Sequence, residues 1–468
     1  MRKPGASTSG TLLGNSTYIF LIRFFPSIVS VAALVWLSRH MAPAYYGRYQ
    51  SFWVQWQVLQ VVACLGIPTL VFSYPMVYLN GLIRGLQSKQ VAYLGVWVMG
   101  LSIGFGMLQH YTYSPFQAWQ ASAFLLLSAP ITIIEAYAML GRQFRQVLLL
   151  NVAYAGIFGV SHAFLVGGLL SAEQLMEWLL AGNLLRLAAL AGLVWRCYQR
   201  VPPVAPVHWH TVRNLWAHTA LNELIQVLFK WADKFALNFL LPAALFALYF
   251  NGTLDVPFLP LLLGAAGSAL LLQLGQPDLP DTERLAMLKT AGVLLGSLVF
   301  PLFFFLFFFR YELFGVLFAH RYDAAVPLFV VSCLVIPMRA YNFTALLRHK
   351  GRGRTITIGA LLDLLLAFAL MYPLYRLLGL MGVALAFVVS TYCQAGYYLL
   401  HTARLLGLPC PALLPWQTWL GQAAGFGLAF FLLHEALAAG LTELLVLLGG
   451  GGVLGVLLVV VLMKARQT

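Results

Sequence analysis

The sequence predicts an all-α polytopic membrane protein of about fourteen transmembrane helices. It is expected to form two six-helix lobes in a parallel pseudo-repeat, followed by two C-terminal helices. Three observations carry that prediction. Of 468 residues, 61% are hydrophobic and only 9% charged, whereas a soluble globular chain carries about a quarter charged residues. Apolar runs of about twenty residues, the length a helix needs to cross the hydrocarbon layer, recur along the chain. The basic residues then alternate between connections as orientation in a membrane demands. A lipid-embedded backbone must satisfy its own hydrogen bonds, which leaves helices or closed barrels. Barrel strands would read as alternating segments of about ten residues. The runs here are long and continuous, so helices are expected.

The first six spans are expected at residues 12–37, 52–79, 91–108, 119–140, 147–170 and 175–195. The first run is too long for the apolar part of a signal peptide and has no small-residue cleavage site after it, so it is read as a retained span. A polar connection containing Pro202 and Pro203 follows. The second set is expected at 221–241, 244–274, 291–309, 326–347, 356–374 and 380–400, with two closing spans at 416–437 and 441–463. The seventh span is unusually polar, and the eighth contains Pro257 and Pro260.

With both termini cytoplasmic, eighteen Lys and Arg fall in inside connections. The outside receives five: Arg39, Arg48, Arg310, Arg321 and Arg376. One span more or fewer would invert part of this asymmetry, so it favours an even count. The expected organisation is a lobe at 1–200, a cytoplasmic linker at 201–215, a second lobe at 216–402 and the extra pair at 403–468.

The halves also resemble one another at an offset of about two hundred residues. Ala42-Pro43-Ala44-Tyr45-Tyr46-Gly47-Arg48-Tyr49 faces Pro242-Ala243-Ala244-Leu245-Phe246-Ala247-Leu248-Tyr249. The basic Gly141 to Arg145 connection faces His349 to Arg354. Six spans per half preserve orientation, so the repeat is expected to be parallel, and transporters of this kind hold substrate near the midplane between repeats.

Several function classes are disfavoured. The net charge of +14 is spread over connections and does not form one patch with interleaved aromatics, so nucleic acid is not an expected partner. The five cysteines are scattered, without the spacing of a disulfide framework or a metal site. His208-Trp209-His210 offers too few ligands for a metal. No GxxxxGK[ST] phosphate loop occurs, no connection is long enough for a soluble domain, and the external acids are scattered. Catalysis is therefore not expected, and no cofactor is.

The same segments resemble the polysaccharide-biosynthesis, or oligosaccharide flippase, family of the multidrug/oligosaccharidyl-lipid/polysaccharide exporter superfamily. The resemblance rests on Leu37 to Tyr49 with Leu65-Gly66-Ile67-Pro68, on Trp231-Ala232-Asp233-Lys234-Phe235 with the Pro242 turn, and on Leu317 to Tyr322 together with Gly379 to Ala386. It implies a two-lobed alternating-access transporter of the bacterial inner membrane. The implied cargo is undecaprenyl-pyrophosphate-linked oligosaccharide for O-antigen, capsule or exopolysaccharide, moved among membrane lipid, with glycan polymerase or ligase machinery as a partner. A small-molecule/cation antiporter on the same fold is the first alternative, and a membrane-embedded glycan polymerase or ligase the second.

Ionisable side chains inside spans cost roughly 2.5–3.5 kcal/mol each, so each needs a reason. The basic ones are Arg23, Arg186, Lys230, Lys234 and Arg339, and the acids are Glu135, Glu223, Asp233, Asp255 and Asp363. At about 100° per residue, Glu223, Lys230 and Lys234 fall within about 40° on the seventh helix. Arg23 with Ser27 and Ser30 makes a similar face on the first, and Ser332 aligns with Arg339 on the tenth. One reading puts Arg23, Lys230, Lys234 and Arg339 around a cavity that binds pyrophosphate. The other neutralises them in pairs: Lys230 with Asp233, Lys234 with Glu223 or Asp255, and Arg339 with Glu135, leaving Arg186 to snorkel to the interface. The five acids are the candidates for cation coupling.

Overall fold

The computed structural model describes residues 8–201, 204–254, 259, 263, 270, 274, 279–439 and 441–467. Among these there are eighteen α-helices and no strand, so the chain is an all-helical, multi-pass membrane protein. Ten described helices are long and apolar enough to cross a membrane. The remaining expected spans fall short for visible reasons. The second is broken and rich in glutamine, the seventh carries four charges, the eighth lies largely outside the described residues, and the last is counted as a shorter apolar helix, Glu443–Val459. The chain divides into two compact units, Met1–Ala247 and Leu248–Thr468.

The first unit contains α1 (Thr8–His40), α2 (Pro43–Cys64), α3 (Ile67–Phe72), α4 (Met76–Gly85), α5 (Ser88–Tyr111), α6 (Ala118–Leu140), α7 (Phe144–Val166), α8 (Ala172–Arg200) and α9 (Arg213–Leu240). The α10 helix (Ala243–Gly252) crosses the boundary between units. The starts follow from composition. Pro43 sits at the first position of α2, where its missing N–H costs nothing. Reciprocal side-chain caps Gln87/Gln90, Gln117/Gln120 and Ser171/Gln174 open α5, α6 and α8.

The expected continuous second span at 52–79 is corrected. It begins at Pro43 and breaks twice, at Leu65-Gly66 and at Ser73–Pro75. Leu65 and Gly66 have φ of 50° and 66°, a left-handed pair that ends a helix and that glycine adopts without strain. Pro68 and Pro75 then fix where the short pieces restart.

The two turns matched in sequence meet inside this unit. A Cβ on Gly47 would lie 1.8 Å from the Ala243 carbonyl oxygen, so only glycine permits that approach. Tyr46 and Tyr49 are buried, as are Phe246 and Tyr249 at the corresponding positions.

The second unit contains α11 (Asp281–Phe308), α12 (Arg310–Phe318), α13 (Val326–Cys333), α14 (Ala345–His349), α15 (Gly353–Leu378), α16 (Leu380–Leu406), α17 (Trp416–Ala438) and α18 (Glu443–Gln467). Here α15 packs along α16, and α11 packs against α17 and α18. The expected tenth span is also corrected. After Cys333 the chain winds through a 3-10 turn, Ile336–Ala340, before α14. Pro337 at the start of that turn removes a helix donor, so Ser332 and Arg339 do not share one helical face. In the Gly449 to Gly452 run, a Cβ on Gly450 would lie 2.6 Å from the Phe309 ring, which marks it as a close packing point between α18 and the end of α11.

Candidate functional site

The charged side chains of the spans fall into distinct environments. The first is the polar stripe of α9. This helix packs on α2 and α3, and its polar residues reach both. The Glu223 carboxylate accepts a hydrogen bond from the Thr69 hydroxyl on α3. Asn238 accepts from Ser51 on α2, Ser51 accepts from Gln55 at 3.1 Å, and Gln55 accepts from Gln109 on α5. A chain of side-chain hydrogen bonds therefore crosses three helices where their neighbours would otherwise be hydrocarbon.

Within this stripe the basic residues differ. Lys234 pairs with Asp233 at 3.2 Å, both largely buried. Lys230 is exposed. The Lys230 and Lys234 ammonium nitrogens lie 5.2 Å and 5.8 Å from the Trp231 ring centroid, so one indole carries both cations on its faces. The expected pairings of Lys230 with Asp233 and of Lys234 with Glu223 are corrected: the adjacent lysine takes Asp233, and Glu223 turns to Thr69.

On α1, Arg23 is exposed, and the Ser27 hydroxyl donates back to the Arg23 carbonyl at 2.7 Å. Ser27 thus satisfies its own helix. In the second unit Arg339 is half-buried within the 3-10 turn. Asp255 lies outside the described residues.

The second environment was hidden from the sequence. Arg186 on α8 forms an ion pair with Glu135 on α6, and both also bond Asn151 on α7. The Arg186 guanidinium also lies 5.3 Å from the Tyr154 ring centroid. The expectation that Arg186 snorkels to the interface is corrected: in the first unit it is held by the Glu135 carboxylate and Asn151. One helix supplies the acid, one the base and one the amide, so each charge keeps a partner in low dielectric.

The third environment is Asp363 on α15. It is 1% exposed, and neither carboxylate oxygen has a partner at full hydrogen-bond geometry among the described residues, although the Ser390 hydroxyl lies beside it. The polar groups around it on α16 are committed elsewhere. Ser390 donates to its own helix at Phe387, Tyr398 to the Ile356 carbonyl at 2.9 Å, and Gln394 to the Gly359 carbonyl at 3.2 Å. Burying an ionised carboxylate without a partner is costly, so this side chain needs a proton or a cation to sit there.

A buried histidine on α7 also escaped the sequence reading. His162 shares a hydrogen bond with the Tyr49 hydroxyl on α2, and its other ring nitrogen lies 2.6 Å from the Phe158 carbonyl. No group of three metal-ligating side chains occurs among the described residues.

No protein-family model matches the sequence, and no curated protein does. Solved structures do match. A lipid II flippase, MurJ, in an inward closed conformation superposes with a TM-score of 0.67 at 11% identity, over 97% of this chain and 100% of that one. An inward-facing multidrug-resistance MATE transporter of the MOP superfamily gives 0.52 at 14% identity, over 85% of this chain and 98% of the other. The MATE multidrug transporter DinF-BH gives 0.51 at 16% identity, over 86% and 97%. At these identities the likeness is one of fold: the chain is built in the way these transporters are built.

Proposed function

We propose that the protein is a membrane transporter of the alternating-access type and that its cargo is a lipid-linked oligosaccharide, turned from the cytoplasmic to the outer face of a bacterial inner membrane. The observation that carries this reading is the reach of the structural likeness. The match to a lipid flippase extends over 97% of the chain; the multidrug transporters match over 85% and 86%. The polar stripe of α9 adds chemical support. Lys230 and Lys234 place two cations on a membrane helix, where a pyrophosphate would find both charge and hydrogen-bond donors. Arg23 and Arg339 complete the proposed phosphate-binding set.

Turnover without a nucleotide site requires an ion gradient, the membrane potential or mass action. Among Glu135, Glu223, Asp233, Asp255 and Asp363, Asp363 suits cation coupling best, because it is buried without a committed partner. That same residue favours the second reading, a small-molecule/cation antiporter on this fold, in which acids would dominate the binding site.

A deletion strain separates the two. The flippase reading expects complete lipid-linked repeat units to accumulate on the cytoplasmic leaflet, and surface glycan to be lost. Normal surface glycan together with lost drug or cation efflux would establish the antiporter instead.

A further inference from the structure

The first unit contains an apolar cavity of about 620 Å³ that none of the transport residues lines. Its inner wall is Val71, Leu79 and Leu82 from the broken second span, Ile134 from α6, and Trp209 and Trp216 from the connection between α8 and α9 and the first turn of α9. The cavity exists because the second span breaks. Past Leu65-Gly66 the short helices α3 and α4 form one wall, α5 and α6 the others, and Trp209 and Trp216 of the connection and α9 close over them. The Val207 amide donates to the Gly81 carbonyl at 2.8 Å, and a Cβ on Gly85 would lie 2.1 Å from the Val207 carbonyl oxygen.

Polar groups of four lining residues are engaged in bonds of their own. The Trp216 indole donates to the Leu65 carbonyl at 2.8 Å, capping the end of α2 where the helix stops. The Trp97 indole donates to the Val62 carbonyl at 3.2 Å. Tyr137 donates to Asn80, and Gln90 accepts from the Gln87 amide at 3.0 Å. The remaining surface is hydrocarbon and aromatic face. Such a space offers water no partners, and left empty it would forfeit the contacts that a close-packed interior makes. Its size lies within the range of about 300–1,000 Å³ typical of sites that hold an organic ligand.

The mouth identifies the occupant. Ile83, Val91, Tyr93 and Trp97 on its rim are between 41% and 73% exposed, the last three on α5, a helix long and apolar enough to cross a membrane. At that rim the last turn of α4 carries Arg84 and the first turn of α5 carries Lys89, both exposed. Arg84 is partly engaged with Tyr198 and Val204; Lys89 adjoins the lining residue Gln90. An apolar slot that opens to the bilayer beside a basic rim is complementary to an acyl chain with an anionic headgroup. We infer that this cavity is a site for one chain of an anionic membrane phospholipid, which braces the broken second span against the connection that closes over it. The inference stands apart from the transport reading and holds for either cargo.

The test uses the full-length protein in liposomes containing phosphatidylglycerol with a diazirine near the end of one acyl chain, photolysed and mapped by peptide mass spectrometry. Val71, Leu79 and Leu82 are buried, so lipid that merely surrounds the protein does not reach them. Labelling of these residues several-fold above Leu288 and Leu346, equally buried outside the cavity, is the expected result. Labelling confined to exposed positions such as Val91 and Leu428, with Val71, Leu79 and Leu82 at the level of Leu288, would overturn the site. Ile134→Trp fills the cavity and should abolish the buried labels while leaving Leu428 labelled. Should that variant not fold, the wild-type comparison decides alone. The same diazirine chain on phosphatidylcholine should label Leu79 several-fold less, and Lys89→Gln should erase that difference; equal labelling by both lipids in the wild type would overturn the anionic assignment.

Discussion

Two acids lie in comparable membrane helices and have opposite surroundings. Glu135 on α6 is held by the Arg186 guanidinium and the Asn151 amide, while Asp363 on α15 is more deeply buried and has beside it only the Ser390 hydroxyl, short of full hydrogen-bond geometry, among the described residues. Glu135 is neutralised by the fold, so its charge is a structural fixture joining α6, α7 and α8. The charge of Asp363 is left for something outside the fold to balance. Ionisable residues in membrane helices are functional suspects by default; the contrast separates the one the architecture explains from the one it does not.

The largest expected effect breaks the satisfied member. Arg186→Met should strand Glu135 and destabilise the protein by about 3–5 kcal/mol, the usual cost of removing one partner of a buried pair. The double change Arg186→Met with Glu135→Gln should recover much of that loss in detergent melts. If the single variant melts like the wild type, the pair carries no structural role.

Glu223 gives an intermediate case, with one hydroxyl partner across α3 and α9 and partial exposure. Thr69→Val should cost about 1 kcal/mol, near the net worth of one hydrogen bond, measured by the same melts. A loss as large as that of Arg186→Met would mean that Glu223 is as deeply committed as Glu135.

Asp363→Asn should leave stability within about 1 kcal/mol of the wild type, because no bond is removed and a cost of burying charge is relieved. A collapse of the fold would reveal a structural partner and erase the contrast.

The smallest effect belongs to acids at the surface. His320, in the turn after α12, lies 3.0 Å from Asp323 and 3.1 Å from Glu443 at the start of α18. The hydrogen bond to Asp323, followed by the charge of Glu443, raises its pKa above the ordinary histidine value. A raised folded pKa makes this contact fully stabilising below the unfolded value, about 6.5, and the contribution fades as pH climbs through the folded value. Amide exchange at the start of α18 should therefore quicken modestly from about pH 6 to about pH 9, beyond its intrinsic pH dependence, and Glu443→Gln should flatten the trend.

How far these features were legible in the sequence follows from the range of the interactions. Helix spacing is local, so run lengths and the rotation of about 100° per residue were enough to predict the helical class and the Glu223/Lys230/Lys234 stripe on α9. The breaks were written in Gly66-Ile67-Pro68 and in Pro337, but apolar continuity across them outweighed those markers. The Glu135–Arg186 pair joins residues 51 apart. Sequence offers five acids and five bases within spans and no rule for matching them across helices. Asp233 shows the limit at short range as well: helical spacing favours a partner three or four residues away, yet the flexible Lys234 next to it makes the contact. The cavity beneath Trp209 and Trp216 depends on how a polar connection is laid over a helix break, which no periodicity encodes.

The most direct measurement is translocation of a fluorescent pyrophosphate-linked saccharide lipid in proteoliposomes, with and without an imposed proton or sodium gradient, comparing the wild type with Asp363→Asn. The wild type should move the lipid faster under one of the gradients. Asp363→Asn, equally well folded, should lose that acceleration and keep only the gradient-independent rate. An unchanged gradient response in Asp363→Asn would contradict the coupling role, and no translocation by the wild type under any gradient would contradict the lipid-transport reading itself.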